Sequence, residues 1–209
     1  MEQNQMLTSA PESEALRAAK AALHKTMRAR QKALPAEYRA AASRIIQDAV
    51  LASPRYQAAD SLLLYLHMPT EPATDRLVRR ALADGKRVYV PKCVGPGRMI
   101  AVRIRDLTDL VPGAYGILEP RDLRETAGAG EMDLIVVPCL AAARDGRRLG
   151  HGAGYYDRFL AGYGERTLCL CFARMLCDEI PVTELDVPMA EVCTEEARGC
   201  AETKTNPEN

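Results

Sequence analysis

The chain has 209 residues, of which 47% are hydrophobic and 27% charged, which reads as a soluble globular protein of one large domain, or one domain with an appendage, at about 100–200 residues per domain. Its 28 Lys+Arg balance 28 Asp+Glu, which excludes a generic electrostatic binder of nucleic acid or anionic membrane but leaves room for a local basic pocket. No stretch approaches the ~18 consecutive apolar residues of a membrane span, and the polar segment Met1–Glu14 lacks the apolar core of a secretory signal.

In chain order, residues 1–13 and 202–209 are polar and patternless and are expected to be frayed, leaving one domain over 14–201. Glu14–Leu34 is rich in Ala, Lys, Arg and Gln, and Leu16, Leu23, Met27 and Leu34 share one helical face. Leu34-Pro35 breaks this helix. A second runs to about Leu51 and ends at Ser53-Pro54. Ser61–Leu66 is a short apolar run typical of a buried strand. Thr74 is the expected N-cap of a helix through Ala83, closed by Gly85. Lys86–Pro91 is the next strand, so the unit is βαβ and the sheet is at least partly parallel.

Met99–Ile104 reads as a further strand, Pro112–Pro120 as turns and Arg121–Glu131 as a surface loop. Asp133–Pro138 is the clearest buried strand. A glycine-rich loop and a helix from about Tyr155 follow, then strands at Arg166–Phe172 and Glu191–Cys193. The 7 cysteines form no paired CxxC units and accompany only 3 histidines, so a zinc site or disulfide framework is not expected. Reduced thiols point to the cytoplasm. Cys169 and Cys171 alternate with leucines and read as small core residues.

The chemistry concentrates in Gly146–Asp157. Gly150, Gly152 and Gly154 alternate between a strong strand and a predicted helix. Such a loop can turn several N–H groups toward one point, at the positive end of a helix, which suits a phosphate. Arg148 adds a forked cation, and Asp157 can hold a magnesium ion bridging phosphate oxygens. Asp157 can equally be a carboxylate favoured by the helix N-terminus. No Lys-Ser/Thr follows the last glycine, so this is not a Walker A loop, and it is not the GxGxxG dinucleotide fingerprint.

The run Arg148-Leu149-Gly150-x-Gly152-x-Gly154-Tyr155-Tyr156-Asp157-Arg158-x-Leu160, preceded by Asp133–Pro138 and Asp145-Gly146, resembles the signature of the 5-formyltetrahydrofolate cyclo-ligase (methenyltetrahydrofolate synthetase) family. Agreement extends over about residues 20–195: Lys20-x-x-Leu23, Tyr65-Leu66-x-Met68 with Glu71-x-x-Thr74, Gly85–Val88, Tyr115-Gly116-Ile117-x-Glu119-Pro120 and Asp186-Val187-Pro188. The resemblance implies a three-layer, Rossmann-like α/β fold with a mostly parallel central sheet and a helical N-terminal arm.

It also implies an ATP- and magnesium-dependent enzyme of one-carbon metabolism. Such an enzyme converts 5-formyltetrahydrofolate to 5,10-methenyltetrahydrofolate, with release of ADP and phosphate. The formyl oxygen is phosphorylated, N10 closes the ring, and no protein nucleophile is needed.

By the same resemblance, Lys20 and Arg148, Leu149, Gly150, His151, Gly152, Ala153, Gly154, Tyr155 and Tyr156 bind ATP. Arg148 and Tyr155 stand closest to catalysis. Residues His151 to Tyr155 also border the folate, with His24, Met68 and Glu71. Asp157 and Asp186 ligate magnesium. Read as residues alone, Lys20 is a solvated helix lysine, Met68 is core filling and Asp186 is a turn residue. The expected partners are a small-molecule folate and ATP, with no nucleic acid or membrane, and the chain is expected to be a monomer.

Some positions depart from the family pattern. His24 stands in place of an arginine, Ala73 in place of an acid before Thr74, Ala142-Ala143 in place of Phe-Asp, and Ala190 in place of a second acid. These departures lie on the substrate side. They keep open a second reading, a nucleotide- or folate-binding homologue with little or no cyclo-ligase activity.

Overall fold

The computed structural model describes residues 13–113, 118–196 and 201–202. Helix α1 (Glu14–Ala33) starts where Ser13 Oγ accepts the Leu16 N–H at 3.2 Å, and it ends at extended Leu34. Its buried side chains are Met27 and Gln31, while Leu16 and Leu23 are only half-buried, so the expected leucine stripe is the packing face in its C-terminal part alone. The N-terminal half turns Lys20 and His24 toward a cavity instead. Helix α2 (Ala36–Ala52) buries Ala42, Ile46 and Val50 at four-residue spacing.

Ser53-Pro54 ends α2 as expected, but it also starts a short helix α3 (Pro54–Ala58). Ser53 Oγ accepts the Tyr56 N–H, and the proline sits in the first turn, where its missing N–H costs nothing. Strand β1 (Ser61–Leu64) is buried throughout, and helix α4 (Asp75–Ala83) follows. Thr74 stands at the N-cap position but does not cap, because its hydroxyl donates to the Tyr65 carbonyl at 2.6 Å. The expected turn glycine, Gly85, has φ +74°.

Strands β2 (Arg87–Gly95) and β3 (Arg98–Ile104) form an antiparallel hairpin. The Pro112–Pro120 region, read as turns, contains a ribbon of β4 (Leu110–Pro112) and β5 (Leu118–Pro120). Tyr115, Gly116 and Ile117 lie outside the described residues. The expected loop at 121–131 holds β6 (Thr126–Ala127), paired with β3, and a 3₁₀ turn at Ala129–Glu131. These short pieces pair with distant strands, so no local periodicity announces them.

Strand β7 (Leu134–Pro138) is fully buried. It leads into a second ribbon, β8 (Ala141–Ala142) with β9 (Arg148–Leu149), where a plain loop was expected. Helix α5 (Tyr155–Phe159), β10 (Thr167–Leu170), β11 (Glu191–Cys193) and β12 (Ala201–Glu202) complete the order. Glu202, expected to be frayed, therefore pairs in β12. The rest of the two predicted frayed ends, 1–12 and 203–209, lies outside the described residues.

The main sheet has the order β12-β11-β10-β7-β1-β2-β3-β6. From β11 to β2 the pairings are parallel, and both edges are antiparallel. Leu63 in β1 lies between Tyr89 and Ile135. The chain steps one way from β1 to β2 and the other way from β7 to β10. Right-handed crossovers then place α4 and α5 on opposite faces, giving a three-layer α/β fold. Helix α2 packs with α4, and α5 lies against β3. Cys139, Cys169 and Cys171 are buried free thiols, in keeping with a core role for Cys169 and Cys171, and Cys193 is buried as well.

At the amino ends of β1 and β7, Asp133 Oδ2 accepts the N–H groups of Asp60 and Ser61 and the Ser61 hydroxyl. The Ser61 hydroxyl bond, helped by the two N–H groups, holds the Asp133 carboxyl below the usual range against a smaller opposing effect of burial. A depressed folded-state pKa stabilises the fold above the unfolded value near pH 4 and loses that contribution as pH falls through the folded value. The stability difference between wild type and Asp133→Asn, read by urea unfolding, is therefore expected to be full at pH 7 and to shrink steadily below about pH 4.

Candidate active site

The direction of the chain reverses between β1 and β7, and a crevice opens there at the carboxyl ends of the strands. A cavity of about 900 Å³ occupies it. Lys20, His24, Met68, Glu71, residues 148–157 and Asp186 all line this cavity. The structure thus brings together every site residue nominated from sequence. Ala73 does not line it; its N–H donates to Ser43 Oγ at 3.0 Å, and Glu71 is the acid that faces the cavity.

The β8–β9 ribbon delivers the glycine loop. Leu140 and Ala143 N–H groups donate to the carbonyls of Leu149 and Arg147, each at 2.8 Å. The ribbon turns at Gly146 (φ +91°), where a Cβ would lie 2.3 Å from the Met189 carbonyl oxygen, so the position admits only glycine. The loop carbonyls are held from outside: Arg28 Nη2 donates to His151 O at 3.0 Å, and Arg158 donates to Ala153 O and to Gly97 O. None of the N–H groups from Gly150 to Tyr156 meets a protein acceptor among the described residues.

The helix that follows starts at Tyr155, as expected, and runs only five residues to Phe159, with Gly154 left-handed at its N-cap. A helix of this length has little macrodipole. The anion-attracting character therefore comes from the loop N–H groups themselves, a nest rather than a helix end.

Beneath the loop lies Arg148, whose side chain is 4% exposed. Its Nη2 donates to Asp157 Oδ1 at 2.8 Å and its Nη1 to the Pro138 carbonyl at 3.3 Å. The guanidinium stands over the Tyr156 ring at 5.8 Å. Gly150 lets the backbone rest on it, since a Cβ there would approach Nη1 to 3.0 Å. Arg148 Nε, the Tyr156 hydroxyl and His24 Nδ1 are buried without a hydrogen-bond partner among the described residues. Native proteins rarely leave such groups unpaired, so all three suit a ligand that supplies the partner.

The two acids share a pattern. Asp157 takes Arg148 and the Val187 N–H on Oδ1. Asp186 takes Lys20 Nζ at 2.6 Å, and the Thr183 N–H and hydroxyl, all on Oδ2. Each acid keeps one oxygen without a protein donor among the described residues. Burial pushes the Asp186 carboxyl up, but Lys20 and Thr183 together outweigh it and hold it below the usual carboxylate range. His24 is pushed down by burial first and then by Arg28, His151 and Lys20, so its imidazole resists protonation and is a weak anion partner.

Arg17, Arg28, Tyr65, Cys93, Met99, Glu119 and Arg158 also belong to the site or brace it. Arg17, Lys20, His24 and Arg28 fall at helical spacing on one face of α1, a signal present in the sequence. Cys93 and Met99 reach the cavity from the β2–β3 hairpin, where nothing local marks them, and Glu119 reaches it from β5, in a segment whose agreement with the family marked it in the sequence.

Unsatisfied loop N–H groups at the carboxyl ends of parallel strands define a class, the α/β enzymes that bind a phosphorylated ligand at a strand-order reversal. Residues 16–195 match the model of the 5-formyltetrahydrofolate cyclo-ligase family, and the chain belongs to that family. It is 31% identical to 5-formyltetrahydrofolate cyclo-ligase of Mus musculus over 86% of this chain and 95% of the relative. It is 28% identical to the Escherichia coli K12 enzyme of that name over 80% of this chain and 96% of that one. In structure it is similar to 5,10-methenyltetrahydrofolate synthetase of Aquifex aeolicus, with a TM-score of 0.78 and 25% identity over 91% of this chain and 95% of that chain.

The Lys20–Asp186 pair generates a direct prediction. Lys20→Gln removes the ammonium that favours the carboxylate, so the Asp186 titration midpoint is expected to move upward. Carboxyl carbon NMR across pH 2–7, about the range in which carboxylates titrate, checks it.

Proposed function

We propose that the protein converts 5-formyltetrahydrofolate to 5,10-methenyltetrahydrofolate with consumption of ATP and release of ADP and phosphate. The observation that carries this reading is the run of loop N–H groups from Gly150 to Tyr156 without protein acceptors, set over buried Arg148 in the cavity that also holds Met68 and Glu71. The loop N–H groups and Arg148 Nε would take the ATP phosphates, with Lys20 reaching in from α1. Met68 and the loop from His151 to Tyr155 would border the folate.

A formamide oxygen is a poor leaving group. Transfer of the γ-phosphoryl group to it makes it a good one. N10 of the same molecule then attacks the formyl carbon, the C–O bond breaks and phosphate departs. Proximity is built into the substrate, so the protein has to align the formyl oxygen with the phosphoryl group and stabilise the charge that spreads over it. The side chains suit this task, since they offer hydrogen-bond donors and cations and need supply no nucleophile.

The donor set also fits magnesium, which commonly uses one or two carboxylates together with phosphate oxygens and water. Asp157 Oδ2 and Asp186 Oδ1 are the oxygens that would hold it, and its charge would offset that of the phosphates. The same reading takes residues 14–201 as one working domain, acting as a monomer in the cytoplasm without nucleic acid or membrane. The balanced charge supports the part that concerns nucleic acid, and among the described residues no helix is long and apolar enough to cross a membrane. His24, whose imidazole resists protonation, favours the second reading, a homologue that binds nucleotide or folate with little turnover.

One assay separates the two. With ATP, magnesium and 5-formyltetrahydrofolate, the absorbance of the methenyl product is expected to rise, and omission of any one component is expected to abolish the rise. ATP binding without product selects the second reading. Arg148→Ala is expected to weaken ATP binding about tenfold or more, the worth of a charge-assisted hydrogen bond. Asp157→Asn is expected to raise the magnesium concentration needed for half-maximal turnover, and an unchanged requirement would remove it from the metal site.

A further inference from the structure

The β2–β3 hairpin reaches beyond its neighbours in the sheet. Strand β2 pairs with β1 only from Arg87 to Tyr89, and β3 pairs with β6 only at Ala101 and Val102. From Lys92 to Ile100 the two strands pair only with each other among the described residues. A two-stranded ribbon has little stability of its own, so the position of this tip depends on what holds it from the side. Lys92 holds it to β5 through an ion pair with Glu119. Arg158 holds it to the glycine loop.

The Arg158 contact is a fork. Its Nε donates to the Gly97 carbonyl at 2.8 Å, and its Nη2 donates to the Ala153 carbonyl. These two N–H groups lie on one edge of a rigid plane, so they fix the two carbonyls relative to each other. The hairpin backbone approaches closely. At Gly97 (φ +67°) a Cβ would lie 2.3 Å from Nη2, so a side chain there would displace the guanidinium. On the loop side, a Cβ at Gly154 (φ +65°) would lie 3.1 Å from Nη1. Arg158 is exposed and does not line the cavity, but the segments that it joins do. The hairpin presents Pro91, Cys93 and Met99, an apolar wall, and the loop presents its N–H groups. Cys93 and Tyr155, one from each segment, lie side by side.

We infer that Arg158 is a positioning residue that couples the glycine loop to the hairpin wall. A ligand that orders the loop thereby also sets the wall, and a ligand on the wall sets the loop. The phosphate donor and the folate are then each bound more tightly when the other is present, by the same factor. The identity of the two ligands rests on the function proposed above, whereas the mechanical link between loop and hairpin does not.

The test has a ligand-free part and a binding part. Backbone ¹⁵N order parameters of residues 94–99 and 150–154 are compared in wild type, Arg158→Ala, Arg158→Lys and Gly97→Ala. Thermal unfolding confirms that each variant is folded, and where Gly97→Ala is not, the two Arg158 variants carry the test. Order is expected to fall in both segments together in all three variants. Lysine keeps the charge but has no fork, and a Cβ at Gly97 pushes the fork away. In the binding part, the Kd of 5-formyltetrahydrofolate is measured with and without a non-hydrolysable ATP analogue and magnesium. In wild type the analogue is expected to tighten folate binding about fivefold or more. In the variants this mutual gain is expected to vanish. A merely structural role would weaken each ligand alone and leave the gain intact.

A mutual gain that survives in Arg158→Ala would overturn the inference. The same holds for loss of order confined to one segment, for an Arg158→Lys variant that behaves as wild type, and for a wild type that binds both ligands without any gain. A wild type that makes no methenyl product and does not bind 5-formyltetrahydrofolate, while loop and hairpin still loosen together in the variants, would overturn the proposed function and leave the link between the two segments standing.

Discussion

A guanidinium held at 4% exposure must be met by an opposite charge and by hydrogen-bond acceptors, or the fold around it is lost. Arg148 meets this demand through Asp157 and the Pro138 carbonyl, and the site is arranged around those contacts. The bond to Pro138 ties β9 to the end of β7. The ion pair ties β9 to α5. Through the Val187 N–H, Asp157 also draws in the segment that carries Asp186. One buried charge thereby fixes the floor beneath the glycine loop, the helix after it and one wall of the cavity. The Nε that it leaves unpaired marks where a ligand completes the accounting.

The parallel sheet decides where this arrangement can stand. Strands β1 and β7 are neighbours whose onward connections leave in opposite directions, so no crossover covers their carboxyl ends. The segments after them, carrying Tyr65 to Glu71 on one side and Pro138 to Asp157 on the other, form the walls of the crevice. Helix α1 closes the third side with Lys20 and His24, and Arg28 anchors it to the loop. The N-terminal part of α1 is held largely by polar contacts to the site. That explains why its apolar stripe is incompletely buried there. It also links the ordering of this arm to the charge balance of the cavity.

Much of this was legible in the sequence where a single segment carries the signal. The apolar runs read at Ser61–Leu66, Asp133–Pro138 and Arg166–Phe172 hold the buried strands Ser61–Leu64, Leu134–Pro138 and Thr167–Leu170, and Ser53 and Gly85 punctuate the helices, whereas Ser13, read with the frayed end, caps α1. The alternating glycines after Arg148 marked the loop that lines the cavity, and the longer signature around them marked the family. Elements of two or three residues, such as β6, β8 and β9, left no trace because each exists only through a partner strand. The ordinary hydroxyl cap expected of Thr74 failed for a similar reason, since the Tyr65 carbonyl competed for it.

The sequence by itself therefore determined the elements with a period or a boundary residue of their own, the class of the sheet, and the residue types gathered at the site. Only the tertiary structure decided which of those residues meet. Lys20 pairs with Asp186 across 166 positions, and Glu71 with His151 across 80. It also decided that an anion in the cavity would meet loop N–H groups in place of a helix dipole, because α5 stops after five residues. The physical reason is range. Backbone preference and hydrophobic period act within a turn or two of chain, whereas a buried charge finds its partner only after the sheet has brought distant segments within about 3 Å of each other.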